Sequence, residues 1–118
     1  MDNLKLLVFA HFLSSEDVSK IIKDILYQLN FDNILYRVEN NLKINYIMNK
    51  KLNYFINLFA NEFKIKFKIV SSLTNYQNKL NTNNFFFFLK YLDVEKLTII
   101  YKLTKISNSV ILSYFFFV

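Results

Sequence analysis

Phe63-Lys64-Ile65-Lys66-Phe67-Lys68-Ile69-Val70 alternates apolar and cationic residues as far as Ile69, and that period of two decides the reading of the fold. Successive side chains of a strand point to opposite faces, so Phe63, Ile65, Phe67 and Ile69 would share a buried face and Lys64, Lys66 and Lys68 an open one. Upstream, Leu52 to Phe63 fits two patterns. Leu52, Phe55, Ile56 and Phe59 recur at helical spacing, whereas Tyr54, Ile56 and Leu58 alternate, and the helical reading is taken. Residues 34 to 48 read as a long, irregular strand closed by Asn49, Lys50 and Lys51. Downstream, 75 to 84 is turn-like and Phe85 to Tyr91 reads as a strand. Asp93 caps a helix on which Val94, Leu97, Ile100, Tyr101 and Leu103 share a face, Ser107 to Ser109 break it, and Val110 to Val118 reads as a last apolar strand.

At the amino end, Leu4 to Ala10 is short and almost wholly apolar, which suits a buried strand. Ser14 or Ser15 then caps a helix over about 15 to 29, with Glu16 and Asp17 in its first turn and Val18, Ile21, Ile22, Ile25, Leu26 and Leu29 on one face. Because glycine is absent, turns fall to Asn, which tolerates left-handed backbone angles best after glycine. Strand, helix, strands, strand, helix, strand is the order of a ferredoxin-like split βαβ unit. The predicted fold is therefore α+β: an antiparallel sheet with two helices on one face, spanning 1–118 as one domain with an inserted segment within 30–84.

Positions 40 to 90 hold eight lysines against the single acid Glu62, while the residues before them are net acidic. Such a field points to a polyanionic partner. Gly, Pro, Cys and Trp are all absent while Phe, Tyr, Ile, Asn and Lys dominate, the residues of A/T-rich codons, which suggests an organellar or endosymbiont genome. Without cysteine there is no disulfide, thiolate nucleophile or cysteine metal site. Without glycine, a phosphate-cradling or dinucleotide loop has no residue that permits close backbone approach. His11 is the lone histidine and reads as a loop residue, and Asp93 and Glu95, like Glu16 and Asp17, read as helix-start charges. The expectation is a protein that is not an enzyme, with no cofactor and no metal. No apolar run approaches the ~18 residues of a membrane helix, and no signal or transit peptide is recognised, so a soluble or complex-bound protein with no transmembrane segment is expected.

Leu6 to Ile22, Phe85 to Leu97 and Ser107 to Phe117 together resemble the bacterial-type small-subunit ribosomal protein six family, in its opening strand, His-containing loop, first helix, third strand and final strand. Tyr36 to Lys50 is similar to that family's second strand, although its Trp-Gly is missing and Lys43 and Tyr46 stand in for its other matches. Phe63 to Gln77 is a second register for the same strand. The family's basic residue in the last strand is replaced by Leu112. The resemblance implies a structural constituent of an organellar small ribosomal subunit, in the mitochondrial matrix and organelle-encoded, binding small-subunit rRNA and small-subunit ribosomal protein eighteen. A non-catalytic accessory subunit of another organellar complex is the alternative.

Candidate RNA contacts are Arg37, Lys43, Lys50, Lys51, Lys64, Lys66, Lys68 and Lys79. The Lys64, Lys66, Lys68 row would space ammonium groups about 7 Å apart, suited to a phosphate backbone and equally to protecting an edge strand. Tyr36, Tyr46, Tyr54 and Tyr76 would stack on bases or belong to the core and partner surfaces. Tyr46, Phe86, Phe88, Tyr114 and Phe116 are the candidate protein-interface residues, since rings on both faces of the two Phe-rich strands leave one sheet face to be covered by an assembly.

Overall fold

The computed structural model describes residues 15–37, 41–70, 77 and 80–117. Among the described residues five α-helices follow one another: α1 (Ser15–Leu29), α2 (Leu42–Phe63), α3 (Asn83–Tyr91), α4 (Val94–Ser107) and α5 (Val110–Phe117), with a 3-10 turn at Asn33–Leu35. Among the described residues the single strand-type pairing is one parallel bridge between Tyr36 and Val70. The expected α+β ferredoxin-like sheet is thus corrected to a helical bundle. Residues 30–84, expected to hold an insertion, contain the longest helix.

Helix α1 occupies the span its periodicity predicts, burying Ile21, Ile22, Ile25 and Leu29. The strand expected at 4–10, the His11 loop and the Ser14 cap lie outside the described residues. Where 34 to 48 was expected to be a strand, the chain makes the 3-10 turn and then enters α2, because the Asn41 side chain accepts a hydrogen bond from Ile44 N at 3.0 Å. At 1.5 Å per residue, its 22 residues extend about 33 Å. Lys64 stops it in the left-handed region (φ 53°), donating its N–H to the Ala60 carbonyl.

The Phe-rich run of α3 and the apolar run of α5 were both expected to be strands. Continuous apolar runs carry no period that separates a buried strand from a buried helix. In α3, Phe85 and Leu89, one turn apart, are buried, while Phe86 and Phe88 are half-buried and Phe87 is exposed. Helix α5 touches α1, α2 and α4 and buries Val110, Ile111, Ser113 and Tyr114, as expected of a helix apolar on nearly all sides. Ser113 satisfies its hydroxyl by donating to the Ser109 carbonyl one turn back at 2.6 Å.

Rings knit the helices together. Phe59 lies 4.8 Å from Phe63, 5.0 Å from Phe85 and 5.5 Å from Tyr114 between centroids, mostly edge-on, and Phe63 lies 5.5 Å from Phe88. Edge-to-face pairs of this kind add about 0.5–1.5 kcal/mol each beyond area burial. Helix α4 starts on the predicted cap, with Asp93 accepting from Lys96 N at 2.9 Å, and ends at Asn108 in the left-handed region. From there Ser109 begins α5 by accepting from Leu112 N at 3.1 Å.

Candidate protein-binding surface on the long helix

Helix α2 turns Ile56, Phe59 and Phe63 into the core, with Leu52 and Phe55 half-buried beside them. Its opposite face ought to be polar. At 100° per residue, however, Ile47, Tyr54 and Leu58 fall within about 40° of one another on that outer face. Their exposures are 46%, 65% and 40%. Lys43 and Lys50 flank this seam on one side and Lys51 on the other, all exposed. The first turns of α2 are open on several sides, since Leu42, Ile44 and Tyr46 are exposed as well. An apolar seam between ammonium groups suits a partner surface that is itself apolar with acidic margins.

Past the end of α2 the chain runs on with Lys64, Lys66 and Lys68 exposed, Ile65 buried and Phe67 half-buried. The alternation expected for a strand is present in the burial, although among the described residues no sheet accounts for it. It slips at the end, where Ile69 is exposed and Val70 buried. Gln77 holds this run from one side: its Oε1 accepts from Lys68 N at 2.6 Å and its Nε2 donates to the Lys68 carbonyl. Val70 closes the bridge, its N–H donating to the Leu35 carbonyl at 3.0 Å and its carbonyl accepting from Arg37 N at 2.7 Å.

Between α2 and this run lies a groove of about 470 Å³. Ile56, Ala60, Ile65 and Phe67 give it an apolar lining. Asn57, Asn61, Lys64 and Lys66 give it amide and cationic groups. A smaller cavity of about 260 Å³ separates α1 from α4, bordered by Asp24, Gln28, Tyr101 and Lys105 among others.

The candidate RNA contacts divide. Lys43, Lys50 and Lys51 lie on the first half of α2, and Lys64, Lys66 and Lys68 beyond its end, all at the surface. About 20 Å of helix separates the two groups. Arg37 does not join them. It is 7% exposed, donating from Nε to Asn49 Oδ1 at 2.8 Å, from Nη2 to Asn53 Oδ1 at 3.1 Å, and from Nη1 to the carbonyls of Ile34 and Tyr36. Burial lowers its pKa, and its role is to tie the 3-10 turn to α2. Lys79 lies outside the described residues, as does Tyr76.

Of the interface candidates, Tyr46 and Phe116 are exposed, Phe86 and Phe88 half-buried, and Tyr114 buried in the ring cluster, its pKa raised by burial and then by the charge of Glu62. Ile47, Leu58, Asn57 and Asn61 were not singled out from the sequence. Their signal was available: once Leu52, Phe55, Ile56 and Phe59 are set on a helix, the residues opposite them follow.

A buried junction supports this surface from behind. Asp32, wholly buried, accepts from Ser109 Oγ at 2.6 Å, from Ile111 N at 2.9 Å and from Ile34 N at 3.2 Å. Burial raises its pKa, opposed by those hydrogen bonds. It joins the 3-10 turn, which Arg37 fastens to α2, to the start of α5.

No protein-family model matches the chain, and no curated protein matches it in sequence. In structure it is similar to a proposed chaperone from Agrobacterium tumefaciens, with a TM-score of 0.77 over 89% of this chain at 20% identity. The match takes in 40% of that protein's chain, so this chain corresponds to about two-fifths of its length. The likeness shows the helical fold. It overturns, with the helices themselves, the sheet that the ribosomal resemblance implied. Among the described residues no helix is long and apolar enough to cross a membrane.

Proposed function

We propose that the chain is a non-catalytic binding domain, acting as an accessory or chaperone-like subunit that holds an acidic, amphipathic segment of a protein partner. The observation that carries this reading is the seam of Ile47, Tyr54 and Leu58 standing open between Lys43, Lys50 and Lys51, on a helix whose other face is fixed in the core. Burying those three side chains would supply the apolar part of the affinity, and the lysines would favour an acidic partner over a basic one. The fold shared with a proposed chaperone supports a protein as the partner. The A/T-type composition keeps an organellar, mitochondrial setting within the proposal.

Anisotropy of a labelled, helix-forming peptide with leucines on one face and glutamates on the other tests it, using the full chain. Binding should weaken at least tenfold in Tyr54→Asp and in Leu58→Asp with helicity unchanged. Equal affinity for the lysine counterpart of that peptide, or seam variants that bind as well as the parent, would refute the reading. A second reading, a small-subunit rRNA-binding constituent, is favoured by the six exposed lysines. It requires that a single-stranded RNA oligomer bind with steep salt dependence, and that Lys→Glu changes, not seam changes, abolish that binding.

A further inference from the structure

We infer that the groove between the second half of α2 and the Lys64 to Lys68 run is a second docking site, for an extended, acidic stretch of polypeptide with apolar residues at alternate positions. The inference rests on the protein-binding reading in taking a protein as the partner, but it concerns a separate surface. Three features of the groove select this occupant.

First, the lining is divided by chemistry. Ile56, Ala60, Ile65 and Phe67 offer an apolar floor, while Lys64 and Lys66 place two ammonium groups beside it. The one acid nearby in sequence, Glu62, lies about 100° or more around α2 from Asn57, Ala60 and Asn61, away from the groove. The local field is thus cationic, and a chain presenting carboxylates next to apolar side chains complements it.

Second, the alternation matches. Lys64 and Lys66 border the groove as exposed residues, with Ile65 buried between them and Phe67 half-buried beyond. Carboxylates at every second position of an extended partner stand about 7 Å apart, with the intervening side chains pointing the other way, to the floor. The volume, about 470 Å³, falls in the range of roughly 300–1,000 Å³ that holds ligands. Phe67 packs 6.0 Å from Phe59 of α2, which keeps the run close to the helix.

Third, the run has backbone to offer. Lys68 and Val70 have both backbone groups engaged, by Gln77 and by the bridge to the 3-10 turn. Among the described residues, the backbone N–H groups of Lys66 and Phe67 have no hydrogen-bond partner. Peptides that add alongside an extended segment take their affinity from such groups and their specificity from alternate side-chain pockets.

The test uses the full chain and a labelled, end-capped peptide in which glutamate and leucine alternate, read by anisotropy at low salt. It should bind at least tenfold more tightly than the alternating lysine–leucine peptide and than a peptide of the same composition with its glutamates and leucines in two blocks. Lys66→Glu should weaken it at least tenfold, and Asn61→Phe, which fills the groove from an exposed helix position, should do the same. Tyr54→Asp should leave it unchanged. Loss in Tyr54→Asp with retention in Lys66→Glu would move the peptide to the seam, overturning the groove while leaving the protein-binding reading intact. Equal binding of the three peptides, or displacement of the acidic peptide by a uridylate oligomer, would mark the lysines as a general charged surface and overturn the inference.

Discussion

Replacing Asp32 by alanine should destabilise the protein by about 3 kcal/mol. Its carboxylate serves the starts of two helical segments, accepting from Ile34 N in the 3-10 turn and from Ile111 N in α5, and it also holds the Ser109 hydroxyl. Losing a cap at a helix start costs about 0.5–2 kcal/mol, and a buried donor left without its partner costs about 1–3 kcal/mol. Some of that loss is offset, because the buried carboxylate is itself costly to desolvate. With an unfolding entropy of about 2.1 cal/mol/K per residue, 3 kcal/mol over 118 residues lowers the melting temperature by about 12 °C.

The pH dependence carries a sign that distinguishes this carboxyl from the surface acids. Its pKa is raised in the folded state, so the folded protein binds its proton more tightly than the unfolded chain does. Its contribution is fully present below the unfolded carboxylate value, about 3.9, and is lost as pH rises through the raised folded value. Asp32→Asn, which cannot titrate, removes that component. Thermal melts of parent and Asp32→Asn across this window should therefore give a stability difference that moves against the parent as pH rises. A difference that is flat or slopes the other way, or an alanine variant within 1 kcal/mol of the parent, would refute the reasoning.

Phe59→Ala, which removes the ring shared by Phe63, Phe85 and Tyr114, should cost about 3–5 kcal/mol in urea unfolding, with a loss of near-ultraviolet dichroism. Arg37→Met should destabilise by about 2 kcal/mol, measured the same way, by leaving Asn49 and Asn53 without their donor, and should leave binding of acidic peptides and of RNA within twofold of the parent. Lys66→Glu, at an exposed position, should change stability by less than about 0.5 kcal/mol while altering binding.

Where apolar residues recur at helical spacing between clear caps, the structure was legible: α1 has its predicted span, and α4 starts on Asp93 as expected, whereas the two-faced alternation of Phe63 to Ile69 belongs to no strand among the described residues. Elsewhere the deciding information was distant. Asp32 reaches across 77 residues to Ser109, and nothing within Val110 to Phe117 announces that support. Asn was assigned to turns, and its equal fitness as a helix cap, used by Asn41, was overlooked. The lysines of the candidate site were visible because charge needs no partner to be counted. The seam was hidden because residues 34 to 48 were read as a strand, which set Ile47 in a different element from Tyr54 and Leu58, whereas one helix runs from Leu42 to Phe63.

Lys64 sits at a backbone angle that costs a residue with a β-carbon about 1 kcal/mol, in a chain that has no glycine to relieve it. The same side chain borders the groove. A glycine there would relax the end of α2 and strip away one of the two ammonium groups beside the cleft. Backbone ease and the cationic margin of the groove are thus set against each other at this one residue.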